Sequence, residues 1–183
     1  SYFEFPQADL IRMIVQTIFA VSDDETRYFM NGVYVENLDG QLVMVATDGR
    51  RLSYISNTPA SPIPEFSGVI VPPKVLNLIR KLASGEGNVQ LAVAEKNVFV
   101  QFDSQRVSSA LIEGQVRNYR RVIPESEQYR VLVKRADLQE ALKRVSLLVE
   151  KSRRIYITVN NAGLTLKSEE SDIGQATEEI SCE

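Results

Sequence analysis

The sequence predicts an α+β fold made of repeated strand-helix-three-strand units, with helices on one face of antiparallel sheets. Three observations predict it. Apolar segments of helical period alternate with runs of short strands, tight-turn dipeptides such as Asp39-Gly40 separate those strands, and the same order recurs along the 183-residue chain. Ala8-Asp9-Leu10 returns as Ala136-Asp137-Leu138, and the Asp39-Gly40 turn between Val35 and Leu42 returns as Ala162-Gly163 between Val159 and Leu164. Offsets of 128 and 123 residues imply duplicated domains and not a short-period solenoid.

Tyr2 to Phe5 is a short strand, and Pro6 opens a helix over 7–22, where its missing N–H is not needed. Leu10, Ile11, Met13, Ile14, Val15, Ile18, Phe19 and Val21 cover most of that helix, leaving Asp9, Arg12 and Gln16 as a narrow polar stripe. Such a helix packs on a sheet. Asp23-Asp24-Glu25 ends it; three consecutive carboxylates cannot all face one ion, so the triplet reads as a solvated loop before a metal site. Arg27-Tyr28-Phe29-Met30 then leads into strands at Val33 to Val35, Leu42 to Ala46 and Leu52 to Ile55, joined by turns at Asp39-Gly40 and Asp48-Gly49. Thr58 to Pro64 is too rich in proline for a helix or central strand.

The pattern restarts with a strand at Ser67 to Val71 and a helix over 72–85 opened by Pro72-Pro73. Val75, Leu76, Leu78, Ile79 and Leu82 form its buried face; Lys74, Asn77 and Lys81 form a stripe on its other side, with Arg80 beside it, and Gly85 and Gly87 stop it. Strands follow at Val89 to Ala94, Val98 to Phe102 and Arg106 to Leu111. Glu113 to Gln128 lacks periodicity and reads as a linker that is also sticky. Tyr129 to Val133 opens a third copy, with a helix over 134–154 that buries Leu138, Ala141, Leu142, Val145, Leu148 and Val149 and exposes Arg144. Residues 1–124 therefore read as one complete domain and 125–183 as a partial one.

With 44% hydrophobic residues the chain can bury a real core, and no stretch approaches the apolar run that spans a bilayer. Ser1 to Pro6 lacks the basic and apolar regions of a signal peptide, so the expected compartment is the cytoplasm. Cys182 is the only cysteine and histidine is absent, which removes disulfides, paired-thiolate metal sites and the usual general base; no metal or cofactor is expected. A net charge of −3 argues against a simple cationic nucleic-acid binder. Its distribution argues the other way: the three helical segments carry +7 together and everything else carries −10. Helices lining one side would offer a field for a phosphate backbone, with sequence-independent, salt-sensitive binding; the alternative is that these cations are simply soluble helix formers.

The corner Thr47-Asp48-Gly49-Arg50-Arg51-Leu52 sets two planar cations beside an aliphatic residue at a sheet rim, where they could grip another chain or form an ordinary salt bridge. Two rival functions rest on other features. A carboxylate-based hydrolase would use Asp48 with Glu36 or Asp39, although an exposed turn is a poor place to raise a carboxylate pKa. A protein-protein scaffold that never meets DNA is compatible with the duplicated sheets.

Val45-Ala-Thr-Asp-Gly-Arg-Arg-Leu52, the restart at Val69-Ile-Val-Pro-Pro-Lys74, and Asn118-Tyr-Arg-Arg-Val-Ile-Pro124 together resemble the bacterial DNA polymerase sliding clamp family, the beta subunit of the replicative polymerase. The resemblance covers essentially the whole chain, as a middle domain and about the first half of a third. It implies the DNA-clamp fold and a ring-forming homodimer that encircles duplex DNA and tethers the replicative polymerase and clamp loader through short linear peptides. With the third domain incomplete, the chain as it stands is not expected to close a normal ring. The positions matching the family's peptide pocket are Met30, Thr47, Gly49, Arg50, Arg51, Leu52, Arg121 and Val122, and those matching its DNA-facing surface are Arg27, Tyr28, Phe29, Lys74 and Lys81. Leu52, Val122 and Met30 would form an apolar floor, and Arg51 and Arg121 would hold the peptide backbone or an acidic flank. Two positions depart from the family pattern: Arg50 stands where it usually has His, and Val116-Arg117 where it usually has Phe-Pro.

Overall fold

A computed structural model describes residues 1–115, 118–149, 153–161, 163–169 and 172–182. Val116-Arg117, Ala162 and residues 150–152 of the third expected helix lie outside the described residues. The chain divides into two compact units, Ser1–Arg120 and Arg121–Glu183.

In the first unit, β1 (Phe3–Pro6) leads into α1 (Gln7–Thr17), followed by β2 (Val33–Leu38), β3 (Gln41–Thr47) and β4 (Leu52–Asn57). The repeat is β5 (Val69–Val71), α2 (Pro73–Leu82), β6 (Asn88–Val93), β7 (Asn97–Phe102) and β8 (Gln105–Ala110). They form two four-stranded antiparallel sheets, β4-β3-β2-β5 and β1-β6-β7-β8. The leading strand of each repeat thus pairs with the sheet of the other: Phe3 lies opposite Leu91 and Phe5 opposite Val89, while Val33 lies opposite Val71. One core joins both sheets and both helices, with Phe5, Met13, Ile14, Met44, Ile79 and Val100 essentially inaccessible. Gln7 is also buried and sews the start of α1 to neighbouring turns. Its amide donates to Asp103 at 3.2 Å and accepts from Ser84 and from the Gly85 N–H, each at 3.2 Å.

Strand β3 is buried on both faces. Leu42, Met44 and Ala46 point into the shared core, whereas Val43 and Val45 join Tyr119 in a separate cluster against which Tyr34, Leu38 and Leu52 pack. The second cluster covers the outer face of the first sheet.

In the second unit α3 (Arg135–Ser146) packs on a three-stranded antiparallel sheet, β11-β10-β9, made of β9 (Ile155–Asn160), β10 (Gly163–Ser168) and β11 (Thr177–Ile180). Ala141, Val145, Leu164 and Leu166 are its buried centre, with Leu138 and Leu142 packed against them. Gly163, at φ +141°, leaves no room for a side chain, since a Cβ there would lie 2.3 Å from the Ile180 carbonyl oxygen.

The helices are shorter than their periodicity predicts. Thr17 turns its hydroxyl back to donate to the Met13 carbonyl at 2.7 Å, and the chain tightens to a 3-10 turn over Ile18–Ala20 before Val21 becomes extended. Val15 and Phe19, part of the apolar set expected to cover most of that helix, are 46% and 57% exposed. Ala83 is extended and ends α2. Beyond Ser146, Leu147, Leu148 and Val149 donate three residues back, so α3 ends in tight turns, and Leu148 and Val149 lie outside it. The strand expected at Tyr129 to Val133 is not formed. In the first unit the matching strand, β1, pairs with the second repeat's β6, and the described residues of the second unit hold one such repeat. Arg144 is half exposed as expected, but it is tied to Glu178 of β11 at 2.6 Å.

Met13 has no accessible surface and touches the core shared by both repeats. Met13→Ala is expected to lower the stability of the first unit by about 2–5 kcal/mol, measured as a fall in the urea midpoint of its unfolding.

Candidate functional site

The corner after β3 is a preorganised turn. Thr47 Oγ1 donates to the Arg51 carbonyl at 2.6 Å and accepts from the Gly49 N–H at 3.0 Å, and Gly49 takes the left-handed conformation the turn needs, at φ +86°. Asp48 Oδ1 accepts from the N–H groups of Arg50 and Arg51 at 2.9 and 3.0 Å, while its Oδ2 faces Arg51 Nε at 3.2 Å. These backbone hydrogen bonds, Arg50's first, hold the Asp48 carboxyl below the ordinary aspartate range. A depressed carboxylate keeps its cap above the unfolded pKa of about 3.9 and loses it as pH falls through the lower folded value.

The corner is also fastened to the end of the first helix. Arg51 Nη2 donates to the Phe19 carbonyl at 2.9 Å, its guanidinium lies 5.5 Å from the Phe19 ring centroid, and the Ser53 hydroxyl donates to the Gln16 carbonyl. Arg51 is therefore largely committed to structure. Arg50, in contrast, makes no ion pair among the described residues and projects from the turn with its backbone alone tied down.

Arg27, Tyr28, Phe29 and Met30 occupy the 3-10 stretch Glu25–Met30, capped by Asp24, which accepts from the Thr26 N–H at 3.0 Å. Arg27 pairs with Asp24 at 3.4 Å, and its Nη1 lies 3.2 Å from where a Cβ would stand on Gly49. The structure thus brings Arg27, expected with the DNA-facing set, up to the peptide-matching corner. Tyr28 is 56% exposed and packs edge-on against Phe29, while Met30 is half-buried. Lys74 and Lys81 lie elsewhere, lining a groove between α2 and β8 with Asn77, Leu78 and Ser109. Arg121 and Val122 end the 3-10 turn Tyr119–Val122, and Val122 is 69% exposed.

Sequence reasoning missed the group that covers the outer sheet face. Tyr34, Val45 and Tyr54 form one row across β2, β3 and β4, and the Tyr119 ring lies over it, 6.1 Å from Tyr34 and 6.0 Å from Tyr54. Glu36 anchors that ring. It accepts from the Tyr119 hydroxyl at 2.5 Å, from Tyr34 at 3.2 Å and from Arg120 Nη2 at 2.8 Å, while the Arg120 guanidinium stacks 5.4 Å from the Tyr119 centroid. One signal was available: the unbroken apolar run Leu42 to Ala46 lacks the alternation of a sheet with one wet face. Glu36 stands opposite Val43, five residues before Asp48, or about 16 Å along the strand, so the two carboxylates do not converge.

Burial, followed by the hydrogen bond to Glu36, pushes the Tyr119 phenol up to about 12. Its neutral form is the one the fold favours, so this stabilisation is complete below the unfolded value of about 10 and is lost as pH rises through about 12. Tyrosinate absorbance is expected to show one of the seven tyrosines titrating at about 12, with that late phase absent in Tyr119→Phe.

A family model described as DNA polymerase III beta subunit, central domain, matches residues 4–118, and one described as DNA polymerase III beta subunit, C-terminal domain, matches 120–183. The Beta sliding clamp of Treponema pallidum is 48% identical over 182 residues, covering 97% of this chain and 49% of the relative. That of Borreliella burgdorferi is 33% identical over 176 residues, covering 96% and 45%. Among solved structures, DNA polymerase III subunit beta from Pseudomonas aeruginosa superposes with a TM-score of 0.94 at 30% identity, covering 100% of this chain and 51% of that one. The Borrelia burgdorferi subunit, solved in complex with a natural product, gives 0.91 at 31%, covering 99% and 47%. The chain spans about half the length of the curated relatives it matches. With both units matched in order and the sheets superposing throughout, the chain belongs to the DNA polymerase III beta subunit family of sliding clamps.

Proposed function

We propose that the intact protein is a non-enzymatic processivity factor of the cytoplasm. As a ring of two copies it encircles duplex DNA without sequence preference and tethers the replicative polymerase and clamp loader through short linear peptides. In this reading residues 1–124 are a complete central domain and 125–183 the first half of the next. Relatives named Beta sliding clamp support it.

The observation that carries the DNA reading is the charge on α2. Lys74, Arg80 and Lys81 make no ion pair among the described residues, whereas Arg12 pairs with Asp9, Lys143 with Glu140 and Arg144 with Glu178. Unpaired cations on one helix suit loose phosphate contacts that permit sliding. In the intact protein, Lys74→Ala with Lys81→Ala is expected to weaken DNA retention on all sequences and to lower the slope of log K against log salt by about 1.8 for each copy in the ring. An unchanged slope contradicts phosphate contact by these lysines.

The peptide reading rests on the corner, where Met30, Thr47, Gly49, Arg50, Arg51 and Leu52 would receive a client together with Arg121 and Val122. Since Arg51 is tied to Asp48 and Phe19, charge recognition falls chiefly to Arg50, with Arg51 holding the turn. Tyr28 and Phe29, next to Arg27 in the 3-10 stretch, would extend the DNA-facing surface. Leu52→Ala is expected to weaken binding of a labelled client peptide about tenfold, and Arg51→Ala to weaken it by loosening the corner. Parent-like affinity in both variants removes the corner from the pocket.

A protein-protein scaffold that never meets DNA is the second reading, and the pairing of Arg12, Lys143 and Arg144 with carboxylates favours it. It expects α2 to show no preference for polyanions. A hydrolase draws no support from Asp48, whose proton affinity is lowered, or from Glu36, which already accepts three hydrogen bonds.

A further inference from the structure

We propose that Glu36 is a positioning residue for the client-peptide corner: by holding Tyr119 and Arg120 on the outer sheet face, it orders the apolar floor that includes Leu52. This rests on the peptide-binding reading of that corner. Glu36 accepts from three donors, the hydroxyls of Tyr34 and Tyr119 and the guanidinium of Arg120. Its side chain is 13% exposed, so these partners replace the water it has lost.

The ring it holds covers Val43 and Val45, and Leu52 packs on the same cluster from β4. Leu52 also pairs with Thr47, whose hydroxyl closes the turn, so movement of the cluster reaches the corner through one strand pair. Arg121 and Val122 follow Arg120 in the same 3-10 turn, and the chain leaves for them from an anchored point. Without Glu36, two phenol hydroxyls and a guanidinium seek water, and the Tyr119 ring loses its tether.

The test uses Glu36→Ala, Glu36→Gln and Tyr119→Phe. Glutamine keeps an acceptor of the same shape for Tyr119 and Arg120, and Tyr119→Phe removes a single hydroxyl should the alanine variant fail to fold. In methyl NMR spectra of the 183-residue chain, the Leu52 methyl resonances are expected to move in Glu36→Ala and Tyr119→Phe and to stay close to the parent in Glu36→Gln. In the intact protein, the Kd of a labelled client peptide is expected to rise about tenfold in Glu36→Ala and less than threefold in Glu36→Gln. A purely structural role predicts fewer folded molecules with parent affinity; that result, or unmoved Leu52 methyls, overturns the proposal. Failure of the parent itself to bind peptide defeats the peptide reading of the corner, while the Leu52 resonances still decide whether Glu36 orders the floor.

Discussion

The exchange of leading strands is the constraint on which the first unit depends. β1 completes the sheet of the second repeat and β5 completes that of the first, so neither repeat has a full sheet without the other. The apolar faces of α1 and α2 then share one core with both sheets. In the second unit the stretch 129–133 forms no strand, and Val131 and Val133 pack against the core of α3 and its sheet.

A sheet buried on one side normally turns a polar face to water. Here the outer face of β4-β3-β2-β5 is occupied by Tyr119, which brings the chain back from the end of the second repeat onto the first. Tyrosine suits this place because its ring supplies apolar cover while its hydroxyl reaches Glu36 at the edge of the cluster. The corner beside it is rigid for a different reason: Asp48 and Thr47 satisfy its backbone, and Arg51 clamps it to Phe19. A client surface built there has fixed backbone and one projecting cation, Arg50, so little order is lost when a peptide docks.

Charge on the helices divides along the same lines. The cations of α1 and the last turn of α3 answer carboxylates of their own unit, and those of α2 pair with none among the described residues. A count of lysines and arginines cannot separate the two cases. Glu178 lies 34 residues from Arg144, and only the packing of β11 against α3 brings them together.

Much of the molecule was legible in the letters. Apolar periodicity located all three described helices, turn dipeptides located the hairpins, and one repeated tripeptide with a recurring turn exposed the duplication, because each of these depends on residues within a few positions of one another. The motif around Thr47 to Leu52 marked the corner, and its Asp48 cap is a local interaction of the same kind. Helix ends were less legible, since Thr17 and the turns after Ser146 balance backbone geometries of similar energy. Three features belonged to tertiary structure alone: the partner of each leading strand, the seat of Tyr119 on Glu36, which is 83 residues away, and the commitment of Arg51 to Phe19 across 32 residues. Periodicity states which face of an element is apolar but not which distant face will cover it; that choice is made when the chain closes around one core, by the burial it secures.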